Sequence, residues 1–256
     1  MERTLITIWN KIQQIQTDFA IAQELTYYYT SPEWHHAKKV LDLGTGNGYY
    51  LRQIACRFPE KNYHGVDISE DFIAIAEKEA AGGTVSFSQR GLLDVTGAWD
   101  FVLMRLLLQH VEDVEAVLEH VADLTLPGGT ALIIDAHDSR RYFHPPLPEF
   151  MDFFAAYAEH ERKGGRDRCV AERVQQAIGS TVRWRLGDTL QLLIPSTITG
   201  NLDLFTETYA LFVELVEQIG ELEYDFATVK QAWRRWTRRA DAYTHVGLKL
   251  MRIDRV

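Results

Sequence analysis

Long apolar runs are missing from this chain of 256 residues, and so is any surplus of basic charge. Without an uninterrupted apolar stretch of about 20 residues there is no candidate membrane-spanning helix. The amino terminus, Met1-Glu2-Arg3, leads into apolar positions broken by Asn10, Lys11 and several glutamines, which fits neither a signal peptide nor a span. The net charge of −9 argues against nucleic acid as a partner, because phosphate contacts need a basic footprint. Cysteine is scarce too. Cys56 and Cys169 offer no disulfide framework and no metal-ligand spacing, which suits a reducing cytoplasm. Repeats and low-complexity tracts are absent, and three of the seven prolines crowd into residues 145–148, where they mark a loop.

What is present is an ordered alternation of strands and helices. Leu5, Ile8, Ile12, Ile15, Phe19, Ala22 and Leu25 recur at helical spacing and predict one or two amphipathic helices over 3–29. Ser31-Pro32 opens a short turn. Strands are then expected over 39–43, 62–68, 84–89, 99–104 and 130–135, with helices near 49–58, 70–80 and 111–124 between them. Such alternation predicts a Rossmann-like, doubly wound α/β fold with a mostly parallel, seven-stranded sheet. After Asp135 the rhythm breaks into the Pro-rich loop, an aromatic helix and a polar segment. A strand over 182–194, helices over 202–219 and 225–241, and a final strand over 244–253 complete the chain. The expected organisation is an N-terminal helical cap (1–38) and one large domain (39–256) carrying a helical lid insertion at about 136–180.

The most informative stretch is Val40-Leu41-Asp42-Leu43-Gly44-Thr45-Gly46-Asn47-Gly48. Alternate glycines after a buried strand let a ligand approach the backbone closely. No Lys-Ser/Thr follows, so the phosphate grip of a P-loop is lacking. Tyr49 stands where a dinucleotide fingerprint wants a small residue. Asp42, at the strand end, is a poor neighbour for a pyrophosphate and a good one for an ammonium or sulfonium. The charge sign favours S-adenosyl-L-methionine.

This stretch resembles the first motif of the class I S-adenosylmethionine-dependent methyltransferases. Three further segments resemble that family in order: His64-Gly65-Val66-Asp67-Ile68-Ser69, Asp100 to His110, and Leu126-Pro127-Gly128-Gly129 into the fifth strand. The resemblance covers residues 40–135. It implies that Asp67 accepts the ribose hydroxyls, with Ile68 beside it, and that Asp42, Gly44 and Gly46 surround the methionine end. Arg105 and a tyrosine of the Tyr27–Tyr29 run, Tyr28, are further cofactor-binding candidates. Where many relatives carry an acidic adenine-binding residue, this chain has Arg90-Gly91-Leu92, so either the backbone at Gly91–Leu92 or the later Asp94 reads the base.

His110, after the fourth strand, and His137, after the fifth, are the candidate catalytic bases, since histidine can take a proton near neutral pH. Each has a plainer reading: His110 caps the following helix and shapes the pocket, and His137-Asp138 pins a loop. His144 among the prolines fits a lid residue. Phe150, Phe153, Phe154 and Tyr157 suit either a core or an apolar acceptor wall. Arg166-Asp167-Arg168 fits a solvated turn better than an anion site. In Lys230–Arg239, cations alternate with Trp233 and Trp236; the tryptophans share a face with Val229 and Ala240 and should pack inward, which argues against RNA. The resemblance thus implies a methyltransferase for a small molecule in specialised metabolism. It needs no metal, nucleic acid or membrane, and it is compatible with a homodimer. A protein or RNA acceptor, or non-catalytic cofactor binding, are the alternatives.

Overall fold

The computed structural model describes residues 3–80, 83–198 and 200–256; residues 1–2 of the expected cap lie outside them. The N-terminal pattern forms one long helix, α1 (Arg3–Thr30), followed by a short α2 (Pro32–His36) that Ser31 caps through the Trp34 amide. Then β1 (Lys39–Leu43), α3 (Tyr49–Arg57), β2 (Asn62–Asp67), α4 (Glu70–Glu79), β3 (Val85–Gln89), β4 (Trp99–Arg105), α5 (Val114–Leu124) and β5 (Thr125–Ala136) alternate as expected. The remainder is β6 (Tyr142–His144), α6 (Pro148–Lys163), α7 (Ala171–Gly179), β7 (Trp184–Pro195), α8 (Asn201–Ile219), α9 (Phe226–Trp236) and β8 (Tyr243–Arg255).

β3, β2, β1, β4 and β5 run parallel in that spatial order, and β8 joins β5 antiparallel. The sheet holds eight strands rather than the seven expected, for a simple reason. β8 pairs with β5 through residues 248–254 and with β6 through Tyr243–His245, while β7 runs along β8 from His245 to Arg255. His245 faces both β6 and β7, so those two lie on opposite edges, and the three-residue β6 extends the line of β5. The sheet therefore remains seven strands wide.

Burial alternates along the central strands. Leu41, Leu43, Val102, Met104, Ala131 and Ile133 pack with α5 and α7 on one face. Val40, Leu103, Leu132 and Ile134 pack on the other with α1, α3 and the aromatic helices α6, α8 and α9. Both faces are covered, as a parallel sheet requires. Trp233 and Trp236 do turn inward: their indole N–H groups donate to Thr206 O and Pro145 O, and both rings are buried. Ala22 of the expected apolar stripe is exposed, and Glu24 is fully buried in its stead. The cause is a second neighbour. α8 lies along α1, with Phe19 stacked on Phe205 at 4.7 Å, so the helix buries more than one stripe.

Candidate active site

The strand order reverses between β1 and β4, and in open α/β sheets the ligand crevice lies beyond the carboxyl ends of the strands at that point. A cavity of about 360 Å³ occupies it. Its floor comes from β1, β2, β4 and β5 through Asp42, Asp67, Arg105 and Ala136, and α1 and α8 supply walls.

At the floor, Gly44, Gly46 and Gly48 all adopt positive φ, 70°, 55° and 66°. Side chains at the first two would strike Leu107 and Gln13, and one at Gly48 would strike Phe87. Gly48 thus serves packing beneath the loop, while Gly44 and Gly46 line the cavity. Asp67 accepts from the Gly46 amide at 2.8 Å and from the Ser69 amide at 2.9 Å, which ties the end of β2 to the glycine loop. The loop is also latched from above: Gln13 Oε1 accepts from the Asn47 amide, and Asn47 Nδ2 donates to Asn10 Oδ1. Asp42 is buried, and burial pushes its carboxyl up to about 7 against the opposing pull of the Thr45 hydroxyl and Arg105.

Arg105 lines the cavity, but its guanidinium is engaged by α1. It makes a forked ion pair with Glu24 at 3.0–3.1 Å, donates to Gln16 O and stands 4.3 Å from the Tyr50 ring centre. Tyr28, expected at the cofactor, lies one layer back. It is fully buried, and its hydroxyl meets that of Tyr50, which does line the cavity. Ile68 is exposed and borders a second, shallower hollow with Gln89, Arg90, Gly91 and Asp94. Leu92 instead packs toward the α5–α7 face. Both readings left open for the adenine contact reach this hollow, one through Gly91 and the other through Asp94.

After β4 the chain turns through Leu106, which holds φ at 53°, a conformation that costs a branched L-residue about 1–2 kcal/mol. A 3-10 turn over Leu108–His110 follows, fixed by the buried Asp135 carboxylate accepting from the Gln109 amide. His110 lines the cavity. Desolvation, with Arg168 and Arg166 close by, holds its imidazole down to about 4. His137, expected to face the crevice, does not line it. Its ring is buried behind β5, bonded to Gln191 at 2.7 Å with Glu172 at 3.6 Å, because the backbone of β5 turns that side chain toward β7 and α7.

Its neighbour Asp138 does line the cavity, between two cations. Arg141 Nη2 donates to Asp138 Oδ1 at 2.7 Å and Arg168 Nε to Oδ2 at 2.9 Å. Burial alone would raise this carboxyl, but the two guanidiniums outweigh it and hold it at about 2. Arg168 is therefore no solvated turn residue; its side chain is 13% exposed. Of the aromatic helix only Phe154 lines the cavity. Phe150 and Phe153 are core, packed tilted or edge-on among Phe212, Phe226 and Trp233. The missing wall is α8, with Phe205, Thr208, Tyr209 and Phe212 on one stripe. Their i, i+3, i+4, i+7 spacing was readable in the sequence, but nothing there told an acceptor wall from ordinary core.

Residues 41–131 match the family model described as a methyltransferase domain. Among curated relatives, the chain is 31% identical over 86 residues to the mitochondrial ubiquinone biosynthesis O-methyltransferase of Saccharomyces cerevisiae, covering 32% of this chain and 28% of that one. It is 31% identical over 149 residues to the secondary metabolism regulator laeA of Coprinopsis cinerea, covering 51% and 36%. Among solved structures it resembles phosphoethanolamine N-methyltransferase 2 of Haemonchus contortus in complex with phosphomonomethylethanolamine and S-adenosylhomocysteine. That likeness has a TM-score of 0.54 at 17% identity and covers 96% of this chain and 52% of the other. The chain thus spans less than half the length of the curated relatives it matches. The sheet has the class I methyltransferase fold. Residues 41–131 are thus similar to methyltransferase domains, within a sheet of that fold.

Proposed function

We propose that this protein transfers a methyl group from S-adenosylmethionine to a small, partly apolar molecule, in the cytoplasm and within specialised metabolism. The observation that carries the reading is the bare loop of Gly44 and Gly46 between two carboxylates, Asp42 and Asp67, in one cavity. A pyrophosphate there would meet negative charge, whereas an amino acid ammonium and a ribose diol are suited to it. Asp67 would hold the ribose, Asp42 and the glycine amides the methionine end, and Ile68 and Asp94 the adenine side. When bound, the cofactor supplies an electrophilic methyl group on sulfur. The chain's part is to align the acceptor, exclude water and, where needed, remove a proton. α1 and α8 close over the crevice with Phe19, Phe205 and Phe212, which supports a small acceptor over a protein or RNA chain.

Of the two candidate histidines, His110 is the one that lines the cavity. Desolvation, and after it the neighbouring arginines, oppose the imidazolium that proton removal would create, so we assign His110 to shaping and positioning. Calorimetry tests the cofactor. Asp67→Ala should weaken S-adenosylmethionine binding by tenfold or more, about 1.5–3 kcal/mol for a lost charge-assisted hydrogen bond. Wild-type protein that bound NAD and ignored S-adenosylmethionine would overturn the reading. Turnover of a metabolite extract with methyl-labelled cofactor tests the acceptor class: label in protein or RNA, and none in small molecules, would replace it.

A further inference from the structure

The two ends of the cavity carry opposite charge. Asp42 and Asp67 stand at the glycine loop. At the β5 end, Arg141 and Arg168 both pair with the one carboxylate that lines it, Asp138, and His110 lies near Arg168. Among the charged side chains that line this end, two guanidiniums stand against one carboxylate; the buried Asp135, which does not line the cavity, also acts on Arg168 from behind. The nearby Arg166 does not alter that sum, because Glu161 pairs with it at 3.1 Å.

The hydrogen-bond inventory at this end is also incomplete. Arg141 spends Nη1 on the Tyr209 hydroxyl and Nη2 on Asp138, and its guanidinium lies 3.7 Å from the Phe154 ring centre. Its Nε is buried without a partner. The Thr208 hydroxyl is likewise buried and unpartnered, although a helical threonine commonly donates to the carbonyl one turn back. Neither group is satisfied by the protein, and each unmet buried donor costs roughly 1–3 kcal/mol. Such groups need an explanation, and an absent ligand supplies one. Around them the walls are apolar: Phe154, Phe205 and Phe212, with Val246 and Leu248 of β8.

We propose that the acceptor carries a single ionised carboxylate, which Arg141, Arg168 and a rotated Thr208 hydroxyl receive, while its apolar body lies between Phe154, Phe205 and Phe212. This rests on the methyltransferase reading above and names the substrate class for that site. An excess of one guanidinium among the lining groups, with Asp135 behind them, suits a monoanion; a phosphate dianion would leave negative charge unpaired in a desolvated site. The guanidinium fork suits a carboxylate's two oxygens. The charge sorting also sets orientation: a cofactor's cationic end is favoured at Asp42, and the acceptor's anion at the far end.

The test is calorimetry on wild-type protein saturated with S-adenosylhomocysteine. The titrants are a matched panel of phenylalkyl, cinnamyl and medium-chain alkyl carboxylates, each with its primary amide, amine and phosphate counterpart. We expect carboxylates to bind roughly tenfold or more tighter than their amides and phosphates, with amines weakest. In Arg141→Gln the carboxylates should lose roughly tenfold, while the amides change less than about twofold. The wild-type comparison stands by itself if that variant does not fold. The proposal is overturned if amides, amines or phosphates match the acids, or if no acid in the panel binds. Saturation with S-adenosylhomocysteine separates the two readings: failure to bind it sinks the methyltransferase proposal, whereas binding it while favouring amines sinks only this one.

Discussion

Asp42 is the residue whose chemistry depends most on where the fold puts it. In water its carboxyl would ionise near 3.8, but burial lifts that to about 7. With a folded value above the unfolded one, Asp42 favours the ligand-free fold below pH 3.8, and that contribution is lost as pH rises toward 7. The ionised form is the one that attracts an ammonium. S-Adenosylmethionine affinity should therefore increase roughly tenfold between about pH 5.5 and 7, and Asp42→Asn should flatten the slope. Calorimetry at several pH values measures both. His110 shifts the other way, so its imidazole stays neutral across the working range. His110→Gln should change kcat by less than about tenfold and leave the acidic limb of the pH–rate profile in place. A loss of roughly 10²–10⁴ with that limb flattened would restore it as a general base.

Among the elements, α1 departs furthest from what its pattern suggests. Its apolar spacing announces a surface helix, yet it is a wall of the site, gripping the glycine loop through Gln13 and Asn10 and β4 through Glu24. The Glu24–Arg105 pair is buried, so removing one partner strands the other's charge. Glu24→Gln should destabilise the fold by about 3–5 kcal/mol in urea denaturation. A double variant, Glu24→Met with Arg105→Met, should recover most of that loss, because two apolar side chains of similar volume leave no charge unpaired. A double variant as unstable as Glu24→Gln would show that the pair contributes more than mutual neutralisation.

For the molecule as a whole, the cavity is assembled from segments far apart in the chain: α1, the ends of the parallel strands, the loop after β5, and α8. A ligand in it bridges them, so its binding should be felt globally. S-Adenosylhomocysteine at about a hundred times its dissociation constant should stabilise the protein by about 2.7 kcal/mol. The largest slowing of hydrogen exchange is expected in α1 and the glycine loop, with α5 and α7 on the opposite face little changed. Uniform protection across the molecule would mean that α1 opens only with global unfolding.

The residues of the glycine loop and Asp67 were legible in sequence because their roles are local. A positive φ, a strand end and a helix cap are decided within a few residues, and the parallel strands announce themselves as short apolar runs. The seven-strand width followed from the same alternation. What only the tertiary structure decided was which side chains share the space above those strands. Tyr28 and Tyr50, His137 and Asp138, and Phe153 and Phe154 are adjacent or alike in sequence terms, and in each pair one member reaches the cavity while the other packs behind it. That choice depends on strand pleat, helix rotation and the neighbour across the gap. So does the meaning of Arg168, which reads as a solvated turn until Asp138 and Arg141, distant in sequence, close around it. Charge compensation and desolvation are properties of a packed neighbourhood, and no short stretch of chain contains them.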